Sequence, residues 1–307
     1  MTLGYDNQIH MLAFDHRASF SKSLLGIEGT PTADEVRRIE DTKLVIFEAF
    51  DKAIAGGVDP RTAGLLVDEA YGTEVGRRAG EAGYLLAMPV EKSGQAEFDF
   101  EFGYGFDRHI EDFDPSFAKV LVRYNPEGDR ELNRRQATRL QFLSDWLHEH
   151  DRKFLFELLV PAERHQLDAV SGSQERFDAE LRPALVVRTM RELQNAGVEP
   201  DIWKIEGFEH REDSVAAAAQ ARTGGRDGVV CIVLGRGADE AKVFDWLERA
   251  SDVPGYAGFA VGRTLWWDEL VAYVAGEIGR DEASTRIAGN YRRMIDAYTA
   301  RARRLAA

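Results

Sequence analysis

Short apolar runs alternate with longer amphipathic stretches along most of the chain. The apolar runs have the length of β-strands, and the amphipathic stretches repeat their apolar residues at helical spacing. We therefore predict strands at residues 9–15, 63–72, 84–94, 117–126, 153–161, 201–207, 228–237 and 255–265. Helices are predicted at residues 33–55, 73–82, 129–150, 173–196, 210–222 and 238–250 and over about the last 50 residues, with a long loop at 95–115.

Eight predicted strands, nearly all followed by a predicted helix, indicate an α/β fold with a parallel sheet and crossover helices. Eight such units in 307 residues suit a (β/α)8 TIM barrel with a helical C-terminal extension. A doubly wound open sheet is the alternative, but no G-x-G-x-x-G motif follows the first strand. Because no linker interrupts the pattern, we predict a single barrel domain over residues 1–307.

Composition narrows the classes of function. The net charge of −14 argues against a nucleic-acid partner, and the absence of 18 consecutive apolar residues argues against a membrane span. The first residues lack the pattern of a signal peptide, and the single cysteine, Cys231, fits a reducing compartment. We expect a cytoplasmic protein that binds a small molecule. Its oligomeric state is left open, although homo-oligomers are common among such barrels.

The sixth predicted strand carries a lysine at its centre. Because side chains alternate between the two faces of a strand, Ile202, Lys204 and Glu206 share one face, while Trp203 and Ile205 take the other. Trp203 and Ile205 are bulky and apolar and suit the layer between the sheet and the helices. Lys204, on the opposite face, is therefore predicted to point into the barrel. A buried ammonium group is costly unless it has a partner or a function.

The fourth and fifth predicted strands place further charges on the same inner face. Lys119 and Arg123 share a face of the fourth strand, and Glu157 occupies the middle of the fifth. Active sites of barrels lie at the C-terminal ends of the strands. Any one of these residues is also consistent with an ordinary ion pair at the rim. Two mid-strand lysines beside a glutamate favour a functional site.

This combination of residues suits one kind of chemistry. A partly desolvated lysine near a second cation loses its proton more readily. The neutral amine can attack a ketone to form a Schiff base, and the iminium ion then accepts the electrons of a breaking carbon–carbon bond. Lys204 as nucleophile, Lys119 as neighbouring cation and Glu157 as proton shuttle make a class I aldolase hypothesis.

The last two predicted strands end in glycine–arginine pairs. Residues 234–238 read LGRGA and residues 260–264 read AVGRT, each before a predicted helix. Glycine-rich turns at helix N-termini present N–H groups to phosphate, and the loops after strands seven and eight are the usual phosphate site of a barrel. We therefore predict anion binding by Gly235, Arg236, Gly237, Gly262 and Arg263.

Carboxylates also close the first three strands. Asp15, Asp68 and Glu91 could in principle hold a divalent ion at the barrel mouth. The histidines are scattered and show no metal-ligand spacing, which disfavours a metal-dependent class II aldolase. We predict no metal site and no cofactor.

The motifs at these positions resemble a known family. The motifs run from the first strand to the eighth, and in order they are LAFDHR, VDEAYG, EKSG, KVLVRY, FELLVP, WKIEG and GFAVGRTLWW. They are similar to those of the class I aldolases related to tagatose-1,6-bisphosphate aldolase and sulfofructose-phosphate aldolase. Within this family, the strongest resemblance is to the aldolase domain of myo-inositol catabolism.

The resemblance implies a metal-free (β/α)8 barrel that acts on a sugar phosphate. Either Glu157, or Asp15 through a water molecule, would remove the hydroxyl proton of the substrate. The resemblance implies catalytic roles for Lys204, Lys119, Glu91 and Glu157 and phosphate binding by Gly262 and Arg263.

Two positions depart from the family pattern and bear on the substrate. The seventh strand ends in LGRGA in place of a serine followed by small residues, and Arg123 replaces a neutral residue. Arg123 favours a second negative group, such as the carboxylate of 2-deoxy-5-keto-gluconate 6-phosphate, whose cleavage gives dihydroxyacetone phosphate and malonate semialdehyde. Tagatose or fructose bisphosphate, a sulfo-sugar phosphate, and a barrel that binds sugar phosphates without catalysis are the alternatives.

Overall fold

The structure is a computed structural model that describes residues 2–306. Eight parallel strands close into a barrel in which each strand pairs with the next and the last pairs with the first. The predicted (β/α)8 TIM barrel with a C-terminal helix is confirmed. The strands are β1 (Ile9–Ala13), β2 (Ala63–Leu66), β3 (Leu85–Pro89), β4 (Phe117–Arg123), β5 (Lys153–Leu159), β6 (Ile202–Glu206), β7 (Val230–Leu234) and β8 (Tyr256–Val261).

Helices surround the barrel, and the chain ends in two consecutive helices. None of the helices within residues 2–306 is both long and apolar enough to span a membrane. A 3₁₀ turn lies at Gly103–Gly105 and a π-helical turn at Phe177–Leu181. The helices are α1 (Ala18–Leu25), α2 (Ala33–Ala55), α3 (Glu69–Ala82), α4 (Phe106–Phe113), α5 (Arg130–Glu149), α6 (Arg164–Ala169), α7 (Gln174–Arg176), α8 (Arg182–Asn195), α9 (Arg211–Ala221), α10 (Glu240–Ala250), α11 (Arg263–Val274) and α12 (Arg280–Ala306).

The two faces of each strand fill different cores. Phe156 on β5 and Trp203 on β6 are register partners, and both pack in the layer between sheet and helices. On the opposite face of β6, Ile202 fills the interior of the barrel. Glu157 and Lys204 are the next register partners on that inner face. The alternation in the sequence therefore separates the helix-facing residues from those of the barrel interior.

Two of the differences between the prediction and the structure have local reasons. β2 ends at Leu66 because the Asp68 side chain accepts a hydrogen bond from the Tyr71 N–H at 2.9 Å and so begins α3. The predicted loop 95–115 contains α4, in which Phe106 and Ile110 lie one turn apart and are buried. Glycines at the preceding 3₁₀ turn hide this short helical pattern in the sequence.

His10 is a buried titratable group outside the barrel interior. It is 1% exposed on β1, and its ring packs 5.2 Å from the Phe259 ring and 5.6 Å from the Tyr298 ring. Among the described residues, neither ring nitrogen has a hydrogen-bond partner. Burial lowers the pKa of His10 from 6.5 to about 4.

Replacing His10 with leucine should make the protein less sensitive to acid. The unfolded chain binds a proton at His10 near pH 6.5 and the folded chain only near pH 4. The wild type therefore loses stability as the pH falls through this window, by roughly 3 kcal/mol from this residue alone. Urea unfolding between pH 7 and pH 4 should show that loss reduced in His10→Leu. The control is His150→Gln, at an exposed site whose ring contacts the Trp146 carbonyl oxygen and no carboxylate in the described chain, and it should keep the wild-type pH dependence. Equal acid sensitivity of His10→Leu and the wild type would contradict this assignment.

Candidate active site

A cavity of about 430 Å³ opens at the C-terminal ends of the strands. Side chains of β4, β5 and β6 line its floor, and the segments that follow β1, β3, β7 and β8 form its walls. It brings together all of the residues for which the sequence predicts catalytic or binding roles. These are Asp15, Glu91, Lys119, Arg123, Glu157, Lys204, Gly235, Arg236, Gly237, Gly262 and Arg263.

One ammonium group connects several elements at the floor of the cavity. Lys119 Nζ donates to Asp15 Oδ2 at 2.7 Å and to Glu91 Oε1 at 2.8 Å, and it lies 3.0 Å from Glu157 Oε2. Lys204 Nζ donates to the same Glu157 oxygen at 2.9 Å. We call these five residues the charge cluster. Both lysines are at most 2% exposed.

Electrostatics fix the protonation of three members of the charge cluster. Burial by itself would lower the pKa of Lys119, but its three carboxylate neighbours outweigh burial and raise the pKa well above its usual value. Burial by itself would raise the pKa of Asp15 and Glu157, but the two ammonium groups hold both pKa values below their ordinary range. Lys119 is therefore a permanent cation, and these two carboxylates are ionised at neutral pH.

Glu91 is the exception within the charge cluster. Burial raises its pKa, attraction to Lys119 opposes the rise, and repulsion from Asp15 adds to it, so that the pKa reaches about 7. Its second oxygen, Oε2, is buried and has no hydrogen-bond partner among the described residues. Glu91 therefore changes its charge near neutral pH.

A buried ion pair behind the cavity holds the backbone on both sides of Asp15. Lys43 on α2 is fully buried and donates to the carbonyl oxygens of Phe14 at 2.9 Å and His16 at 3.0 Å. It also contacts the Asp68 carboxylate. This anchoring fixes the position from which the Asp15 carboxylate reaches Lys119.

The carboxylates considered as metal ligands are not assembled at the cavity. Asp68 faces Lys43 and does not line the cavity, whereas Asp15 and Glu91 both contact Lys119. Within residues 2–306, no group of three or more histidine, cysteine, aspartate or glutamate side chains is arranged to hold a metal ion.

The loops after β7 and β8 meet at one edge of the cavity. Gly237 has φ of +72°, and a Cβ atom there would lie 2.3 Å from the Arg263 guanidinium group. Gly262 packs so closely on the Ala13 carbonyl oxygen that a Cβ atom would lie 2.4 Å from it. Arg263 is exposed at the start of α11, contacts the Arg236 carbonyl at 3.4 Å and forms no ion pair within the described chain. An unpaired cation at a helix N-terminus suits an anion.

Arg236, in contrast, is held by two carboxylates. Its Nε lies 2.8 Å from Glu206 Oε1, and its Nη1 donates to Asp178 Oδ2 at 2.7 Å. The same carboxylates face Arg182 at 3.7 and 3.2 Å. Arg236 has φ of +51°, a conformation that is uncommon for a residue other than glycine. The four side chains fix this loop conformation. Glu206 does not line the cavity and pairs with Arg236, which does, and with Arg182, which does not.

A second unpaired arginine lies across the barrel. Arg123 ends β4, and its Nη1 donates to the Gln95 carbonyl oxygen at 2.9 Å. It forms no ion pair with any carboxylate in the part of the chain that is described. In a closed barrel of eight strands, β4 stands opposite β8, so Arg123 and Arg263 lie on opposite sides of the cavity.

Sequence reasoning missed part of the cavity wall. Arg17 donates to the Glu91 carbonyl oxygen at 2.7 Å and to the Glu101 carboxylate at 2.9 Å, which ties the segment after β1 to the segment after β3. Burial lowers the pKa of His16 to about 4, so its ring is neutral. Both residues follow Asp15 within the LAFDHR motif, but the sequence analysis gives them no role. Other missed lining residues are Ala18, Ser19, Lys92, Ser93, Gly94 and Gln95.

The fold and the cavity define a (β/α)8 barrel with two buried lysines among carboxylates at the carboxyl end of the strands. The chain belongs to the DUF2090 family, described as an uncharacterized protein conserved in bacteria, whose model matches residues 4–302. It is 24% identical over 276 residues to tagatose 1,6-diphosphate aldolase 2 of Streptococcus pyogenes serotypes M1 and M18, a match that covers 88% of this chain and 76% of each relative.

A solved structure supports the fold. Cgl0159 from Corynebacterium glutamicum is similar over 94% of this chain and 88% of its own, with a TM-score of 0.57 and 16% identity. This likeness shows the fold, while the match to the Streptococcus enzymes supports an aldolase-related family. The resemblance to aldolases is confirmed at that level, whereas the closer resemblance to the aldolase of inositol catabolism stays a prediction.

Replacing Lys119 with methionine should destabilise the protein in a pH-dependent manner. The variant leaves three buried carboxylates with one ammonium group, which costs about 3–5 kcal/mol of unfolding free energy. The loss should be largest near pH 8 and smaller near pH 5, because acid protonates the uncompensated carboxylates. Urea titrations at both pH values measure this. Lys22→Met, at a site that is 69% exposed, is the control. A loss of equal size at both pH values would indicate a packing defect and contradict the charge argument.

Proposed function

We propose that this protein is a class I aldolase that cleaves a ketose phosphate through a Schiff base on Lys204. The observation that carries the proposal is the contact between Lys204 Nζ and Glu157 Oε2 at 2.9 Å on the floor of the cavity. A nucleophile and a proton acceptor within hydrogen-bond distance are what this chemistry requires. The relation to tagatose 1,6-diphosphate aldolase 2 supports the same class of reaction.

The reaction begins when the neutral amine of Lys204 adds to the ketone and water leaves, which forms an iminium ion. The hydroxyl group on the β-carbon then gives its proton to Glu157. The bond between the α- and β-carbons breaks, its electron pair moves towards the iminium nitrogen to give an enamine, and the aldehyde leaves. Protonation of the enamine carbon and hydrolysis by one water molecule release the ketone phosphate and regenerate the amine.

The contacts of the charge cluster support separate roles for its carboxylates. Glu157 is ionised and touches Lys204, so we assign it the removal of the hydroxyl proton. Asp15, acting through a water molecule, is the alternative base, because it is also ionised and lines the cavity. Lys119 keeps both carboxylates in the charged form that a base needs.

The distribution of unpaired cations supports a substrate with two negative ends. We place the phosphate at Gly235–Gly237 and Gly262–Arg263, with Arg236 shaping the loop through its two carboxylate partners. Arg123, on the opposite side of the cavity, would bind the second anion. A ketose phosphate with a terminal carboxylate fits this arrangement, so we propose 2-deoxy-5-keto-gluconate 6-phosphate, cleaved to dihydroxyacetone phosphate and malonate semialdehyde.

A bisphosphate is the second candidate substrate. The similarity to tagatose 1,6-diphosphate aldolase 2 of Streptococcus favours it, and the Arg123 guanidinium group can bind phosphate as well as carboxylate. A sulfo-sugar phosphate has the same pattern of charges. Product analysis separates these substrates, because only the carboxylate-bearing sugar releases malonate semialdehyde.

Borohydride reduction in the presence of dihydroxyacetone phosphate should trap a covalent adduct on Lys204. Peptide mass spectrometry locates the adduct, and Lys204→Met should show none. Lys92→Met removes another lysine that lines the cavity and should leave trapping intact. An adduct on a different lysine would overturn the mechanism, and binding without any adduct would indicate a non-catalytic sugar-phosphate barrel.

The two arginines should affect different ends of the substrate. Arg263→Gln should weaken the binding of dihydroxyacetone phosphate, because it removes the unpaired cation at the phosphate loops. Arg123→Gln should leave that binding unchanged and raise KM for 2-deoxy-5-keto-gluconate 6-phosphate about 10- to 100-fold, the usual loss for a hydrogen bond to a charged group. Calorimetry and steady-state kinetics measure the two effects. Equal effects of both variants on dihydroxyacetone phosphate would contradict the assignment of two anion sites.

A further inference from the structure

We infer that Glu91 holds the proton that Lys204 releases before it attacks the ketone; the inference rests on the proposed Schiff-base chemistry. The charge cluster contains three carboxylates and two amines, all buried or nearly so. If Lys204 lost its proton to bulk water, three negative charges would face one positive charge in this site. Such an imbalance is costly where water is excluded. The cluster therefore needs an acceptor of its own.

An unbroken series of short contacts connects Lys204 to Glu91. Lys204 Nζ lies 2.9 Å from Glu157 Oε2, which lies 3.0 Å from Lys119 Nζ, which in turn lies 2.8 Å from Glu91 Oε1. Each step is within the distance at which a proton can pass along a hydrogen bond. The series ends at Glu91 Oε2, a buried oxygen without a hydrogen-bond partner among the described residues.

The neighbours of each carboxylate select Glu91 as the acceptor. Asp15 and Glu157 are both attracted to both amines of the charge cluster, which favours their charged forms. Glu91 faces Lys119 from β4 at 2.8 Å and Arg17, from the segment after β1, at 4.0 Å, and Asp15 repels its negative charge.

Glu91 also shares the charge of Arg17 with other acids. Glu101 from its own loop lies 2.9 Å from the Arg17 guanidinium group, and Glu69 from α3 lies 3.5 Å from it. Glu91 is thus the least stabilised anion of the cluster, in agreement with its pKa of about 7.

The proton transfer is balanced within the cluster. Lys204 gives one proton to Glu157, Lys119 gives one proton to Glu91, and Lys119 recovers the proton from Glu157. The net result is a neutral Lys204 and a neutral Glu91, with Lys119 still an ammonium ion. The same path in reverse carries the proton from Glu91 back to the reacting centre. There it joins the hydroxyl group of the carbinolamine, which leaves as water when the iminium ion forms.

A direct test follows the protonation of Glu91 in the absence of turnover. The protein is labelled with glutamate that carries ¹³C at the side-chain carboxyl carbon, and Glu91→Gln identifies the resonance. Lys204→Met imitates the neutral lysine. It should raise the titration midpoint of Glu91 by at least one pH unit, while Glu157 stays ionised. Glu131→Gln, at a site that is 68% exposed and outside the cavity lining, should not move that midpoint.

A second measurement uses the rate of borohydride trapping as a function of pH. In the wild type this rate should rise through neutral pH. In Glu91→Gln the amine must lose its proton directly to solvent, so the rise should move at least one pH unit towards alkaline pH. Glu131→Gln should keep the wild-type profile.

The outcomes separate the two proposals. In Lys204→Met, an upward shift of the Glu157 titration midpoint in place of that of Glu91 would overturn the role of Glu91. An unchanged pH dependence of the trapping rate in Glu91→Gln would do the same. The aldolase proposal would stand in both cases. A wild type that forms no adduct on Lys204 would overturn the aldolase proposal, and the inference about Glu91 with it.

Discussion

The architecture of the cavity depends on one electrostatic constraint, the compensation of three buried carboxylates by the ammonium group of Lys119. The carboxylates come from three different places along the chain, and Asp15 is 104 residues away from Lys119. Repulsion among them would separate the segments that carry them, whereas attraction to a common cation holds them within 3.0 Å of one nitrogen. The same contacts determine which groups are charged. A substitution that changes the stability of this region therefore also changes which of its groups are charged.

Lys204 lies at one margin of this cluster and has fewer partners there than Lys119. Within the described chain, Lys119 has three carboxylate partners, while Lys204 has one, Glu157, and both amines line the cavity. The amine of Lys119 is thus held by three carboxylates and that of Lys204 by one. The unpaired arginines, Arg123 and Arg263, lie at the edges of the cavity, and we propose that they bind the negative groups of the substrate.

The sequence predicts those features of the molecule that depend on near neighbours along the chain. Alternation around Trp203 and Lys204 is such a feature, because the period of a strand alone decides which face each residue takes. The number of strands and the charged inner face follow from the same rule. Pairings across the chain could not be predicted in this way. Arg236 forms an ion pair with Asp178, which lies 58 residues earlier in the chain. Asp68 contacts Lys43 and does not line the cavity. The three-dimensional packing determines which residues form these ion pairs. The sequence therefore shows which residues are charged, but not which charges are paired within the folded protein.

The loop that contains Arg236 has a kinetic consequence. Its left-handed conformation is maintained by Glu206 and Asp178 in the free protein. A binding loop that is ordered beforehand loses little conformational entropy when a ligand arrives. For the anion site that we propose, association then requires no slow rearrangement of the Arg236 loop. The residence time of the anion would depend on the strength of its contacts with Arg263 and the neighbouring backbone.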